Sequence, residues 1–189
     1  MSIPRAEYPR PQFLRDSWLN LNGPWAFSFD EPTFDRTITV PFAFQAELSG
    51  VGCTDRHDVV WYRRAFLLPE AWAGQEVVLH FGAVDYRARV WVNDTFIGEH
   101  VGGHVSFSFP VTDALRPREN TVTVRAEDVL TDLTTPRGKQ YWKTPESIFY
   151  TPTTGIWQMV KYLFSTSTLA VVPPRRALTT AAPGLCANS

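Results

Sequence analysis

The chain has 189 residues, 44% of them hydrophobic and 20% charged, which is enough apolar material for one domain with a sizeable core. Its formal net charge of −1 excludes the basic excess of a nucleic-acid-binding domain. Two widely separated cysteines, Cys53 and Cys186, exclude a disulfide framework, and the four histidines show no metal-ligand spacing.

The first residues, 1–15, are rich in Pro and Arg and read as an irregular arm. They lack the apolar segment of a signal peptide, and no apolar run approaches the roughly 20 residues of a membrane helix. A cytoplasmic protein with no membrane partner is therefore expected. In PWAFSF, Trp25, Phe27 and Phe29 alternate with small residues, the two-residue period of a strand. RTITVPF, residues 36–42, reads as a second strand in which Pro41 marks the end or an edge. A loop over residues 43–58 leads to VVWYRRAFLLP, residues 59–69, a strong strand that puts Trp61 and Tyr62 on opposite faces. Arg63 and Arg64 divide in the same way, with a solvated side chain as the commoner outcome.

QEVVLHFG, residues 75–82, is the next strand. In YRARVWV, residues 86–92, Tyr86, Ala88, Val90 and Val92 share one face and Arg87, Arg89 and Trp91 the other. The second face reads either as a basic-aromatic sugar platform or as an outer surface, and exposed arginines favour the latter. Asn93-Asp94 predicts a tight hairpin, because both tolerate left-handed backbone angles. His100 and His104 flank two glycines and read as loop residues. VSFSFPV (105–111) and NTVTVRAED (120–128) are strands, with a short helical turn begun and capped by Thr112-Asp113 between them.

The segment YWKTPESIFYTPTTGIWQMV, residues 141–160, then places two Trp, two Tyr and a Phe in an irregular stretch. Such aromatics either plug a core or an interdomain seam, or meet a ligand. For Trp142, Phe149 and Trp157 packing is the commoner fate. Gly155 serves a tight turn that Thr153 and Thr154 cap. IWQMVKYLF, residues 156–164, reads as one closing strand. The Ala, Thr, Pro and Ser-rich tail, 165–189, predicts disorder from about Pro173 onward. About eight strands with short connections and no long helical pattern predict an all-β sandwich or barrel.

Six segments occur here in a diagnostic order. They are SWLNLNGPWAFSF, VVWYRRAFLLP, VWVNDTFIGEHVGGHVSFSFPVTDAL, RENTVTVRAED, RGKQYW and YTPTTGIWQMV. Together they resemble the N-terminal sugar-binding domain of glycoside hydrolase family 2, which includes β-galactosidases, β-glucuronidases and β-mannosidases. The resemblance implies a jelly-roll β-sandwich of the galactose-binding-domain type over residues 16–164. It implies carbohydrate as partner, no cofactor and no metal. It also implies two further domains, an immunoglobulin-like sandwich and a TIM barrel that holds the catalytic carboxylates. A barrel needs about 250 residues, so this chain carries no catalytic residue on that reading. The tail stands where the next domain would start, which reads as a truncation or a frameshift.

By resemblance, Gln140 matches a position where family members bind the terminal sugar through a polar side chain. Where relatives often carry an acid, an amide both donates to and accepts from a hydroxyl. Tyr141 and Trp142 would stack on a sugar face or pack against the barrel. Asp58, with His57 beside it, falls near a sugar-contacting Asn or Asp of the family, or is an ordinary loop acid. Three functions follow for test. They are a non-catalytic domain shaping an active-site rim, a free-standing carbohydrate-binding module, and a fragment that folds poorly.

Overall fold

The computed structural model describes residues 3–8, 17–141 and 143–164. The expected tail, 165–189, and Trp142 lie outside the described residues. Among the described residues twelve strands occur in chain order: β1 (Trp18–Asn20), β2 (Gly23–Phe29), β3 (Arg36–Val40), β4 (Val59–Leu67), β5 (Val77–Phe81), β6 (Val84–Asp85), β7 (Arg87–Val92), β8 (Thr95–Val101), β9 (Phe107–Pro110), β10 (Glu119–Glu127), β11 (Gly155–Ile156) and β12 (Val160–Phe164). Short 3-10 turns are the helical elements among them.

The strands form two antiparallel layers. One is a six-stranded sheet in the order β3-β2-β4-β10-β7-β8, and the other a four-stranded sheet in the order β1-β12-β5-β9. A two-stranded ribbon, β11-β6, bridges them at one end. This is the jelly-roll β-sandwich of the galactose-binding type.

Alternation explains the layering. Along β4, Val60, Tyr62 and Phe66 are buried, while Trp61 and Arg63 point away. Along β7, Ala88, Val90 and Val92 are fully buried, and Arg87, Arg89 and Trp91 take the outer face. Trp25, Phe27, Ile38, Val122 and Val124 join them from the six-stranded sheet, and Leu79, Phe81, Val160 and Tyr162 from the four-stranded one. Burying side chains of this size contributes about 1.5–3 kcal/mol each. The Trp25 indole N–H donates to the Leu21 carbonyl at 2.7 Å, so its polar atom is satisfied inside the core.

The hairpin at Asn93-Asp94 forms as predicted, with φ of 49° and 69°. Asn93 does more than turn the chain. Its Oδ1 accepts from the Thr121 N–H at 2.9 Å, and its Nδ2 donates to Asn120 Oδ1 at 2.7 Å.

Several local expectations are corrected. The closing run is two strands, not one: β11 pairs with β6, and β12 pairs with β5 and β1. Thr112 does not cap the turn but lies within it, because its hydroxyl accepts the Val77 N–H at 2.9 Å. His100 lies on β8 rather than in a loop, with its ring stacked on Phe107 at 4.1 Å. Of the two arginines of β4, Arg63 is exposed and Arg64 is not simply solvated. Arg64 donates to the carbonyls of Leu21 and Asn22 at 2.9 and 3.0 Å, and Arg63 lies over the Phe34 ring at 3.9 Å. The outer face is also partly self-covered, with Trp61 and Trp91 stacked at 5.8 Å and Phe96 beside Trp91.

Candidate functional site

The long excursion between β10 and β11 runs over 128–154 and, among its described residues, carries one isolated bridge, Gln140 to Tyr150, and no named strand or helix. Both of its ends are held by the sandwich. At the start, the Asp128 N–H donates to the Asp58 carbonyl at 2.9 Å, which continues the β10–β4 ladder by one bond. At the return, Gly155 has φ of 94°, a region that L side chains rarely adopt. A Cβ at Gly155 would overlap the Tyr62 hydroxyl. That hydroxyl accepts the Ile156 N–H at 3.3 Å, so the glycine lets the chain close onto a buried phenol.

Two carboxyls lie beneath the loop. Asp85 ends β6 and Asp128 follows β10, and each is only 5% exposed. Asp85 Oδ2 accepts from the Gln140 amide at 3.1 Å. Asp128 Oδ2 accepts from the Thr154 hydroxyl at 3.1 Å. Gln140 Oε1 accepts the Thr153 N–H at 2.6 Å, and Gln45 Oε1 accepts the Thr154 N–H at 3.3 Å. Gly103 backs the floor, since a Cβ there would overlap the Asp85 carboxylate. The Trp157 indole N–H donates to the Gly103 carbonyl at 2.8 Å, and His104 packs edge-on against the Trp157 ring.

Burial disfavours the charged form of both acids. Asp85 is raised by burial, opposed by its Gln140 hydrogen bond, the nearby His104 and Thr153. Asp128 is pushed up to about 7, first by burial and then by the charge of Asp85, with Asp58 adding to it and Thr154 and Arg137 opposing.

Above this floor the loop presents apolar side chains to solvent. Tyr141 stacks on Phe149 at 4.7 Å with 23° between their planes. Backbone bonds from Tyr141 to Tyr150 and from Tyr150 to Lys139 fix the pairing. Ile148 and Tyr150 are 58% and 63% exposed, and Phe149 also reaches the surface. The Phe149 ring packs on Tyr141 at the surface rather than in the sandwich core, because the loop carries it outside the sandwich. Thr154 spends its hydroxyl on Asp128 and its N–H on Gln45 rather than capping a turn.

The site residues named from sequence fall into two groups. Gln140 and Tyr141 belong to the loop and its floor. Half of the Gln140 hydrogen-bonding capacity is committed to Asp85 and Thr153, which leaves one N–H and one lone pair. Asp58 adjoins the floor through its carbonyl, while its carboxylate receives a bidentate pair from Arg56 at 2.9 and 2.8 Å. The His57 ring is directed elsewhere. It stacks on Phe29 at 3.7 Å and faces Asp30 Oδ2 at 3.0 Å. Sequence reasoning missed Asp85, Asp128, Gln45, Thr154 and Gly103. An Asp at a strand end reads as a turn acid, and its burial depends on partners far along the chain.

The galactose-binding domain-like model of glycosyl hydrolase 2 matches residues 36–158. The chain belongs to this family. It is a glycoside hydrolase family 2 N-terminal domain, homologous to β-glucuronidases and β-galactosidases. A β-glucuronidase of Paenibacillus borealis is 30% identical over 146 residues, which are 70% of this chain and 24% of that protein. A β-galactosidase of Thermoanaerobacter pseudethanolicus is 33% identical over 118 residues, which are 57% of this chain and 15% of that protein. The family 2 domain thus spans a quarter or less of the length of these curated relatives. Among solved structures, a β-glucuronidase of Lactobacillus rhamnosus superposes with a TM-score of 0.63 at 26% identity, covering 78% of this chain and 28% of that one.

Proposed function

We propose that this domain is a non-catalytic, sugar-facing part of a family 2 glycoside hydrolase, whose loop at 129–154 forms one wall of a glycoside pocket. β-Glucuronides and β-galactosides are the ligand classes that the names of its relatives point to. The observation that carries this reading is the exposed Ile148-Phe149-Tyr150 run, held above a hydrogen-bonded floor. Aromatic rings offer an apolar face with a polar rim, which suits a pyranose. A single wall leaves most of a sugar uncovered, whereas ligand pockets bury most of their ligand. The remaining walls would come from the immunoglobulin-like and barrel domains of a parent enzyme. Gln140 and Tyr141 remain the candidate contacts on this wall, and Trp142, outside the described residues, is a candidate by resemblance alone. Asp58 adjoins this wall through its carbonyl, whereas the His57 ring is directed to Phe29 and Asp30 and is not a contact on this reading.

Hydrolysis with retention needs two carboxyls about 5–5.5 Å apart flanking the scissile bond. Asp85 and Asp128 are an acidic pair, but both are turned onto the chain's own donors. At 5% exposure neither reaches a glycosidic oxygen. On this reading the bond-breaking acids come from another part of a parent enzyme.

The test is a pair of measurements on the purified chain. Nitrophenyl β-glucuronide and β-galactoside should give no turnover above buffer. Calorimetric titration with the free sugars should give no heat at millimolar ligand, because the pocket is incomplete. Turnover would refute the non-catalytic reading. Heat of binding at millimolar ligand would make the chain a free-standing carbohydrate-binding module.

A further inference from the structure

We propose that the outer face of the six-stranded sheet is a carbohydrate site of its own, which takes a chain of uronate residues across Trp61, Trp91 and the arginines around them. It shares no residue with the loop at 129–154 and stands whether or not that loop meets a sugar.

Strand register builds the patch. Antiparallel pairing sets Arg63, Thr123, Trp91 and Phe96 side by side in one row across β4, β10, β7 and β8. The next row is Trp61, Arg125, Arg89 and Glu99, and Glu127 and Arg87 follow in the third. On β4, β10 and β7 these positions alternate with the buried Val60, Tyr62, Val124 and Val90, so they face outward. Trp61 and Trp91 stack at 5.8 Å, and the Phe96 ring lies 5.5 Å from Trp91. Phe96 is 54% exposed and both indoles are half-buried. The Trp61 indole N–H donates to the Asp30 carbonyl at 3.1 Å, which fixes that ring. Three neighbouring rings of this kind suit the apolar faces of successive pyranoses.

Charge selects the class of sugar. Arg125 and Arg89 are directly opposite partners in the β10–β7 ladder. Like charges so placed oppose pairing, so local stability does not account for this pair. Their counter-charges are few. Glu99 takes both Arg89 and Arg87, at 2.6 and 2.8 Å, and Glu127 takes Arg125. Arg63 rests on the Phe34 ring and on Thr123, and meets no carboxylate among the described residues. Four arginines in these rows therefore face two glutamates, on a chain whose net charge is −1. Arg89 engages Glu99 through Nε, and its terminal nitrogens make no bond among the described residues. Such a planar set of donors fits a second carboxylate. Exposed ion pairs contribute little to stability, so an incoming carboxylate joins or displaces Glu99 at small cost. A neutral glycan would leave the charge unused, and an acidic peptide would leave the rings unused. A uronate chain uses both. A single sugar meets one ring and one arginine, so methyl glycosides leave this face unshifted.

Titration of the intact chain with tetragalacturonate tests this, read by NMR at the side chains. The Trp61 and Trp91 indole N–H signals and the Arg89 and Arg125 Nε–H signals should shift together, and affinity should fall as salt is added. Arg89→Gln should weaken binding about tenfold, the loss of one charge-assisted contact. Phe96→Ala should weaken it by a similar factor. Both side chains are exposed, and unchanged amide shifts in β2 and β12 would show that the variants fold. Cellotetraose and tetraglutamate, which supply rings without charge and charge without rings, should each bind far more weakly. No shift at this face with millimolar tetragalacturonate overturns the proposal, as does a Kd that neither substitution changes. Cellotetraose binding as tightly would make the face a neutral-sugar platform, and tetraglutamate binding as tightly a dock for an acidic protein; either overturns the uronate assignment. Tetragalacturonate shifts confined to Gln140–Tyr150 would speak for the pocket wall and against this site.

Discussion

Replacing Gly155 by Ala tests how the return of the loop is built. Two costs add at this position. The backbone sits at φ of 94°, where a Cβ is strained by roughly 1–2 kcal/mol. The new methyl would also overlap the Tyr62 hydroxyl and lie 2.9 Å from the ring carbon that bears it. Tyr62 is fully buried between Trp25 and Phe27, so the ring cannot swing away without disturbing the core. Forced repacking of this kind costs about 1–3 kcal/mol. The sum is about 2–5 kcal/mol, or a fall in Tm of about 4–20 °C for a domain of this size. Urea unfolding monitored by tryptophan fluorescence measures it. Tyr62→Phe alone should cost about 1–3 kcal/mol, because it leaves the buried Ile156 N–H without its acceptor. The double variant should be less destabilised than the sum of the singles, since removing the hydroxyl relieves the worst overlap. Gly155→Ala within about 0.5 kcal/mol of wild type, or strict additivity of the pair, would refute this account of the turn.

Three further outcomes are expected. Asn22 is fully buried and its Oδ1 accepts the Val160 N–H at 3.0 Å, so Asn22→Ala should cost about 1–3 kcal/mol in urea unfolding. Asn120→Ala should destabilise by a similar amount, because Asn120 Oδ1 accepts from both Asn93 and the Arg116 N–H; loss of the Asn93-Asp94 hairpin amide shifts would show where the damage lies. Asp128→Asn should stabilise the chain relative to wild type at pH 8 and much less at pH 4. The folded state raises this acid, so wild-type stability falls between about pH 4 and pH 7, by no more than about 4 kcal/mol. Denaturant midpoints at the two pH values check the sign, and a variant less stable than wild type at pH 8 would contradict it.

Much of the sandwich was legible in the sequence because its strands alternate cleanly. Trp25 and Phe27, the Ala88-Val90-Val92 face and the Asn93-Asp94 turn each carry their own local signal. The division of the last strand was not legible. The break after Ile156 depends on Tyr62, 94 residues earlier, reaching the Ile156 N–H. Side-chain periodicity registers nothing at that distance. Arg64 of β4 was misread for a related reason, as its partners are backbone carbonyls rather than acids. At the candidate site, the aromatic loop and Gln140 stood out by composition and by resemblance. The acids beneath them did not, because Asp85 and Asp128 are 43 positions apart in the chain, where residue numbers 128 and 85 differ by that amount. Their donors Gln140 and Thr154 meet them only when the loop folds back.

The proposal that this domain lends a wall, but no catalytic acid, to a glycoside pocket is tested most directly by mapping sugar contacts on the chain itself. Amide chemical shifts would be followed while methyl β-glucuronide or methyl β-galactoside is added to high concentration. Small shifts confined to the segment from Gln140 to Tyr150 are predicted, with the glycoside recovered intact. Shifts confined to the outer face around Trp61 and Trp91, or cleavage of the glycoside, would contradict it.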